Sequence, residues 1–366
     1  MPPIDTDLAA AEPASGFVGL VDQLATAPGT DPELVKRLAA VRDFLVKPDK
    51  TKRPFLSVLL RTQGKRIELL KDALLCLAGQ TDEDFEVFVL SHNASAEDGL
   101  QVRAVLDRLA EPLSKRVTLI EVTGGTRAKP LNAGLDAARG QYISVFDDDD
   151  LVFGHYVEEF HKAAEGANGK MLRALVANQS LTPETWPGGA PGFRTLSWPK
   201  REFPEHFDQV EHLLVNVSPF MTWAFPRQLF TTFGLRFDEE LAVCEDWDVI
   251  LRGSLLCGVR EIEVLTSIYR RWSGGDSSYN VHSSAAWRQS EERVTDRVND
   301  SVILLPPGSL RELRHLALMA STWDTYHFLF NGNRLRQPLQ GVWDAVYPAA
   351  RFARRVRNRI RRSRRG

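Results

Sequence analysis

From Phe55 onward, short apolar runs alternate with longer amphipathic stretches. "FLSVLL" (55–60), "FEVFVL" (85–90), "RVTLIEV" (116–122) and "YISVF" (142–146) each have the length and β-branched or aromatic content of a buried strand. Between them, "RIELLKDALLCLAG" sets Leu70, Ala73, Leu74 and Leu77 on one helical face. "EDGLQVRAVLDRLA" reads as a helix closing at Pro112, and "LNAGLDAARG" as a short helix ended by Gly140, a residue suited to a left-handed cap. This alternation predicts right-handed βαβ units, a mostly parallel sheet, and ligands at the carboxyl ends of its strands.

The pattern differs on either side of this region. In "DPELVKRLAAVRDFLV" Asp31 is placed as N-cap and Pro32 in the first turn, and "KPDKTKRP" follows as a charged linker. Beyond Gly154 the regularity falls, and residues 181–207, rich in Pro, Gly and Trp, read as a long surface loop. Regular structure returns at "PFMTWAF" and at "EDWDVILRGSLLCG", a helix ended by Gly258, and the chain after about residue 275 reads as mainly helical. Four parts are expected: an accessory segment and linker (1–53), an α/β domain (54–275), a helical extension (276–342) and a tail (343–366).

Composition narrows the class. Hydrophobic residues make up 43% and charged residues 26%, as in ordinary globular proteins. No apolar run approaches the ~20 residues of a membrane-spanning helix, and "MPPIDTDLAA" carries acids where a leader would carry bases, so a cytoplasmic location is expected. Cys76, Cys244 and Cys257 are odd in number and contain no C-x-x-C pair, which argues against a disulfide framework or zinc knuckle.

Charge is uneven. The last sixteen residues, "RFARRVRNRIRRSRRG", hold nine arginines and no acid; taking those nine charges from a net −2 leaves −11 on the body. Phe352, Val356 and Ile360 recur at spacing four, so the tail reads as a basic amphipathic helix able to lie on an anionic bilayer at the inner face of the plasma membrane. A solvated end is the plainer reading, and nucleic acid is the less favoured partner.

The candidate chemistry begins where "YISVF" ends. Asp147, Asp148, Asp149 and Asp150 follow the fourth strand directly. They are either a solvated acidic turn or a site for Mg²⁺ or Mn²⁺, hard cations that prefer carboxylate oxygens. Asp147 and Asp149, one residue apart, are the natural ligand pair. A second acidic group, Glu245, Asp246 and Asp248, opens a helix, where negative charge suits the helix dipole. One of them can instead be a general base, and Asp246, between Cys244 and Trp247, is the candidate whose partial burial raises its pKa.

These segments, in this order, resemble the family-2 glycosyltransferases of the GT-A fold. "FLSVLLRTQGKRIELLKDALLCLAGQT", "DFEVFVLSHNAS", "PLNAGLDAARGQYISVFDDDD", "FDEELAVCEDWDVILRGSLLCG" and "YRRWSGGDSS" carry the resemblance, over about residues 54–280. It implies a Rossmann-like, mostly parallel GT-A sheet with a C-terminal helical extension, a nucleotide-sugar donor, Mn²⁺ or Mg²⁺, and an inverting displacement by an acceptor hydroxyl. The acceptor would be a glycan or lipid-linked group in cell-envelope synthesis. Asp147 would face the donor and share the metal with Asp149, with Asp148 beside them. Asp246, paired with Glu245, would be catalytic. Thr62, Ser91, His92, Arg127, Lys129, Asn132, Arg271 and Trp272 would line the donor site, with Arg270 and Arg271 near the diphosphate.

Two departures bear on this. The family's aspartates after the second strand are replaced by "LSHNAS", leaving Ser91 and His92 to meet a nucleobase. Arg271 and Trp272 stand where the family often has a histidine. The bland readings are surface charge for Arg127 and Lys129, a helix cap for Asn132, a turn residue for His92, and core packing for Trp272 and Trp223; Trp186 and Trp198 suit sugar stacking. The rival functions are a non-catalytic scaffold on the same fold and a nucleotidyltransferase, for which "RTQGKR" is a poor signature.

Overall fold

The computed structural model describes residues 16–46, 53–167, 169–189, 191–274 and 281–318. Four parallel strands form one half of the sheet: β1 (Leu56–Thr62), β2 (Phe85–His92), β3 (Val117–Val122) and β4 (Tyr142–Asp147), in the order β3-β2-β1-β4. Every residue of β1 and β2 is buried, which is why these segments read as continuous apolar runs instead of alternating ones. Beyond β4 the sheet continues through β8 (Trp223–Pro226), β6 (Met171–Thr185), β9 (Val259–Trp272) and β5 (Leu151–Val152). There β6 and β9 run parallel, and β4–β8, β8–β6 and β9–β5 run antiparallel.

Helices cover both faces. On one, α3 (Ile67–Ala78) and α4 (Ala96–Leu106) bring Leu70, Leu74 and Val102 against Val58 and Leu60 of β1. On the other, α5 (Ala128–Ala137) and α9 (Glu245–Cys257) bring Leu131, Leu135, Val249 and Ile250 to Leu59. Successive β1 residues thus serve opposite cores, as the two-residue period of a strand requires. Ahead of the sheet, α1 (Gly16–Thr26) packs against α2 (Pro32–Val46) and α9. The Asp31 carboxylate caps α2, accepting from the N–H groups of Glu33 and Leu34 at 2.8 and 3.1 Å. Residues through Pro307 form one compact unit, which includes helix α10 (Ser284–Asn299). A second unit begins at Gly308, and of it residues 309–318 are helical. Among the described residues no helix is long and apolar enough to cross a membrane. The Arg-rich tail, 343–366, lies outside the described residues.

Three local expectations change. The segment 181–207 is not one loop: β6 runs on to Thr185 and returns as β7 (Pro191–Thr195), pairing Leu181 with Thr195 and Thr185 with Pro191. Its Pro and Gly content reflects the hairpin end, where Gly188 and Gly189 turn with φ of +104° and +90°. Helix α4 stops at Leu106, well short of Pro112. Gly140 is not a left-handed cap; α5 ends at Ala137, and Gly140 is small because β1 passes against it, where a Cβ would stand 2.5 Å from Ser57 N.

Candidate active site

Three parallel strands deliver polar residues to one edge. Arg61 and Thr62 end β1, Ser91 and His92 end β2, and Asp147 ends β4. In register Arg61 lies beside Asp147, and Thr62 beside Ser91. A turn then carries Asp148, Asp149 and Asp150 across the strand ends, closed by Asp150 N–H donating to Asp147 O at 3.2 Å.

Three of the four carboxylates are met by arginine side chains at the end of β1 and the start of α3. Arg61, itself buried, forks onto Asp147, with Nε donating to Oδ1 at 2.8 Å and Nη2 to Oδ2 at 3.0 Å. Its Nη1 donates to Glu245 Oε1 at 2.8 Å, so one guanidinium ties β4 to the start of α9. Arg66 spans the next two acids, reaching Asp148 Oδ1 at 2.7 Å and Asp149 Oδ2 at 2.6 Å. Thr62 Oγ1 donates to Asp148 Oδ2 at 2.6 Å, and Asp150 Oδ1 accepts from the Arg270 N–H at 2.9 Å.

Electrostatics divide the four. Burial opposes the charge on Asp147, but Arg61, helped by Arg127 and Arg66, outweighs it and holds the carboxyl below its ordinary range. Burial pushes Asp148 up to about 7 against the pull of Arg66, with Asp149 adding repulsion. Burial, then Asp149, pushes Asp150 well above the usual carboxylate range. The four carboxyls outnumber the two guanidinium groups bonded to them, and this surplus of acids, with burial, pushes Asp148 and Asp150 toward the neutral form. An all-oxygen donor set with that surplus fits a hard divalent cation. Among the described residues no three His, Cys, Asp or Glu side chains converge on one point; of the pair expected from the sequence, Asp147 has both oxygens on Arg61 and Asp149 has Oδ2 on Arg66.

These acids line a cavity of about 570 Å³ whose other walls include Lys65, His92, Arg127, Arg270, Arg271 and Trp272. Arg270 is 8% exposed, and its Nε and Nη1 find no hydrogen-bond acceptor among the described residues. Its guanidinium lies 5.1 Å from the Phe193 ring centre, with Nη1 3.7 Å from Asp72 Oδ2. Trp272 meets Phe193 edge to face at 5.8 Å, so the β6–β7 hairpin braces this wall. Arg271 is more open and lies 3.4 Å from Glu202. Burial lowers the pKa of His92, whose Nε2 lies 3.1 Å from Gly124 O, so a neutral imidazole faces the cavity.

Other expected residues lie away from the cavity wall. Ser91 is buried behind it. Lys129 Nζ donates to Thr123 O at 2.8 Å. Asn132 neither caps α5 nor lines the cavity. Its Nδ2 donates to Phe237 O at 3.0 Å and to Glu239 Oε1 at 2.9 Å, and its Oδ1 accepts from Phe237 N–H at 3.0 Å. Trp223 is wholly buried, whereas Trp186 and Trp198 are exposed.

At the start of α9 the chain turns through Cys244 at φ +67°, a left-handed conformation that costs a non-glycine residue about 1–2 kcal/mol. Glu245 is buried against Arg61 and lies 3.4 Å from Arg127 Nε. Against the cost of burial, Arg127 and Arg61 keep its pKa low, so it acts as a fixed countercharge. Asp246 is half-buried; Oδ1 accepts from Trp247 N–H at 2.8 Å and Oδ2 from Asn216 Nδ2 at 3.0 Å. Burial and then the Glu245 charge push its pKa up to about 6. Arg61, Arg66 and Asn216 are the contributors that pattern reading missed. The basic "RTQGKR" that closes β1 and leads into α3, at the ligand edge, is the available signal for the first two.

Residues 58–225 match the family described as glycosyl transferase family 2. The chain is 25% identical over 183 residues to an uncharacterized glycosyltransferase, EpsJ, of Bacillus subtilis, covering 48% of this chain and 49% of that one. It is 22% identical over 208 residues to the uncharacterized glycosyltransferase MJ1057 of Methanocaldococcus jannaschii, covering 55% and 64%. The chain therefore spans less than two thirds of either relative. Among solved structures, Staphylococcus aureus TarS 1-349 in complex with UDP-GlcNAc superposes with a TM-score of 0.52 at 15% identity, over 68% of each chain. That likeness is one of fold: the mixed α/β arrangement expected from the strand and helix pattern, in the GT-A form that the family resemblance implies. Fold, ordered motifs and family match agree in supporting a family-2 glycosyltransferase, and the match to glycosyl transferase family 2 is carried by residues 58–225.

Proposed function

We propose that this protein transfers a sugar from a nucleotide-sugar donor to an acceptor hydroxyl with inversion at the anomeric carbon. One observation carries the reading. The aspartate run at the end of β4 shares a cavity with Arg270, a buried cation whose Nε and Nη1 lack hydrogen-bond acceptors among the described residues, so acidic and basic walls face the same space. A sugar diphosphate needs both: carboxylates to hold a cation, and guanidinium groups to meet phosphate oxygens.

In this reading Asp147 and Asp149 would hold Mn²⁺ or Mg²⁺, which when bound supplies charge neutralisation to the diphosphate. Arg270, Arg271 and Lys65 bind the phosphates from the opposite wall, and Trp272 covers the sugar. His92 and Thr62 lie toward the nucleobase. Asp246 accepts the proton of the acceptor hydroxyl as its oxygen bonds to the anomeric carbon, while the bond from that carbon to the diphosphate oxygen breaks on the opposite face. Orientation and fixed charge supply most of the acceleration. A glycan or lipid-linked acceptor in envelope synthesis suits such a transfer.

The test is thermal stabilisation by a panel of UDP-, dTDP- and GDP-sugars with and without Mn²⁺, since a ligand that binds only the folded state raises Tm. The reading expects one nucleotide class to stabilise, more strongly with the cation. A flat response across the panel in both conditions overturns it.

A further inference from the structure

Asp246, which lies beyond the matched residues 58–225, is clipped on both sides to a segment inside them. Asn216 lies in the loop between helix α7 (Gln209–Leu214) and the turn Phe220–Thr222. Its Nδ2 donates to Asp246 Oδ2 at 3.0 Å, and its Oδ1 accepts from the Ser218 N–H at 3.2 Å. A flipped amide would set oxygen against carboxylate and NH₂ against N–H, so the backbone of Ser218 fixes the amide in the orientation that donates. The loop is anchored in turn. Arg173, 2% exposed, donates from Nε to Ser218 Oγ at 3.3 Å, and its two other nitrogens donate to Pro204 O and Glu205 O at 2.6 and 3.1 Å. On the other side, Trp247 Nε1 donates to His212 O at 2.8 Å, tying α7 to the residue next to Asp246.

We infer that Asn216 is a positioning residue for Asp246, holding its carboxylate ionised and in one rotamer through an amide that cannot turn away. This deepens, and rests on, the reading of Asp246 as the reaction's base. An amide N–H favours the charged carboxylate over the acid. The other groups facing Asp246 are Glu245 and Cys244 on its own segment and Arg127 from the start of α5. Glu245 opposes ionisation and Arg127 favours it. Asn216 is thus the neutral donor that keeps a crowded carboxylate able to accept a proton near neutral pH without cancelling its charge, as a salt-bridged arginine would.

The experiment labels aspartate side-chain carboxyls with ¹³C, assigns Asp246 by its loss in Asp246→Asn, and follows the signal from pH 4 to 9 in the parent, Asn216→Ala and Asn216→Asp. A hydrogen bond to a charged group corresponds to an upward midpoint shift of about one to two pH units in Asn216→Ala. Asn216→Asp, nearly identical in shape, should shift it at least as far, because a second carboxylate then faces the first. A midpoint within about 0.3 units of the parent in whichever of the two variants is folded overturns the inference, since a merely structural asparagine would not move it. Turnover of UDP-GlcNAc and GDP-mannose by Asp246→Asn is read separately. Parental turnover there overturns the base reading and the positioning role together, whereas lost turnover with an unmoved midpoint overturns the positioning role alone.

Discussion

Arg61 and Asp147 are register neighbours on adjacent parallel strands and are joined by two hydrogen bonds of 2.8 and 3.0 Å. The same guanidinium also holds Glu245, so removing it strands two carboxylates in a largely dry strand end. Breaking one side of a buried ion pair costs about 3–5 kcal/mol. Arg61→Gln should therefore lose on that order of stability in urea unfolding, and Arg61→Lys should recover only part, since an ammonium cannot fork onto a carboxylate.

Asp149 has the opposite character. Its partner Arg66 is 38% exposed on the side chain, so their pair contributes little to folding, about 0–1 kcal/mol. Asp149→Asn should leave the unliganded Tm nearly unchanged while abolishing the Mn²⁺-dependent part of nucleotide-sugar stabilisation. Differential scanning fluorimetry with and without the cation checks both halves; a variant that keeps the cation effect would remove Asp149 from the ligand pair.

How much of this was visible in the sequence follows from range. The four parallel strands, the helix facing of Leu70 and Leu74, and the aspartates closing β4 are local patterns of period two, of period 3.6, or of adjacency. They were legible. Contacts between distant residues were not: Arg61 meets Asp147 across 86 positions, and Asn216 meets Asp246 across 30. Nothing in either segment alone marks its partner. The 181–207 misreading has a different cause. Pro183 and Gly192 belong to a paired hairpin, and composition cannot tell a protruding two-stranded ribbon from an unpaired loop. The family resemblance implies a donor-site role for Asn132, whereas its side chain fastens α5 to residues 237–239.

The pH profile of transfer should follow Asp246. A general base works only when deprotonated, and burial beside Glu245 sets its pKa at about 6. The rate should rise with pH through about 6 and level off near neutrality. Asp246→Asn should lose about 10²- to 10⁴-fold at the plateau while still binding donor. Steady-state rates from pH 4.5 to 8, with donor binding measured in parallel, separate lost chemistry from lost affinity.

His212 makes the fold sensitive to acid independently of the active site. The ring is fully buried against Phe207 and near Trp223, and neither nitrogen has a hydrogen-bond partner among the described residues. Burial, reinforced by Arg173, pushes its pKa down to about 3 from 6.5. Because the folded value lies below the unfolded one, the unfolded chain binds the proton first. Stability is complete above about pH 6.5 and is lost progressively as pH falls toward 3. At pH 4.5 the linkage amounts to about 3 kcal/mol from this residue alone. His212→Phe keeps an aromatic ring in contact with Phe207 and removes the proton site. The parent's other titrating groups remain in the variant, so the difference between the two proteins isolates the imidazole. Urea unfolding at pH 7 and pH 4.5 should show the parent losing about 3 kcal/mol more than His212→Phe over that interval. Equal losses would mean that the buried ring is already hydrogen-bonded, or is protonated without cost, in the native protein.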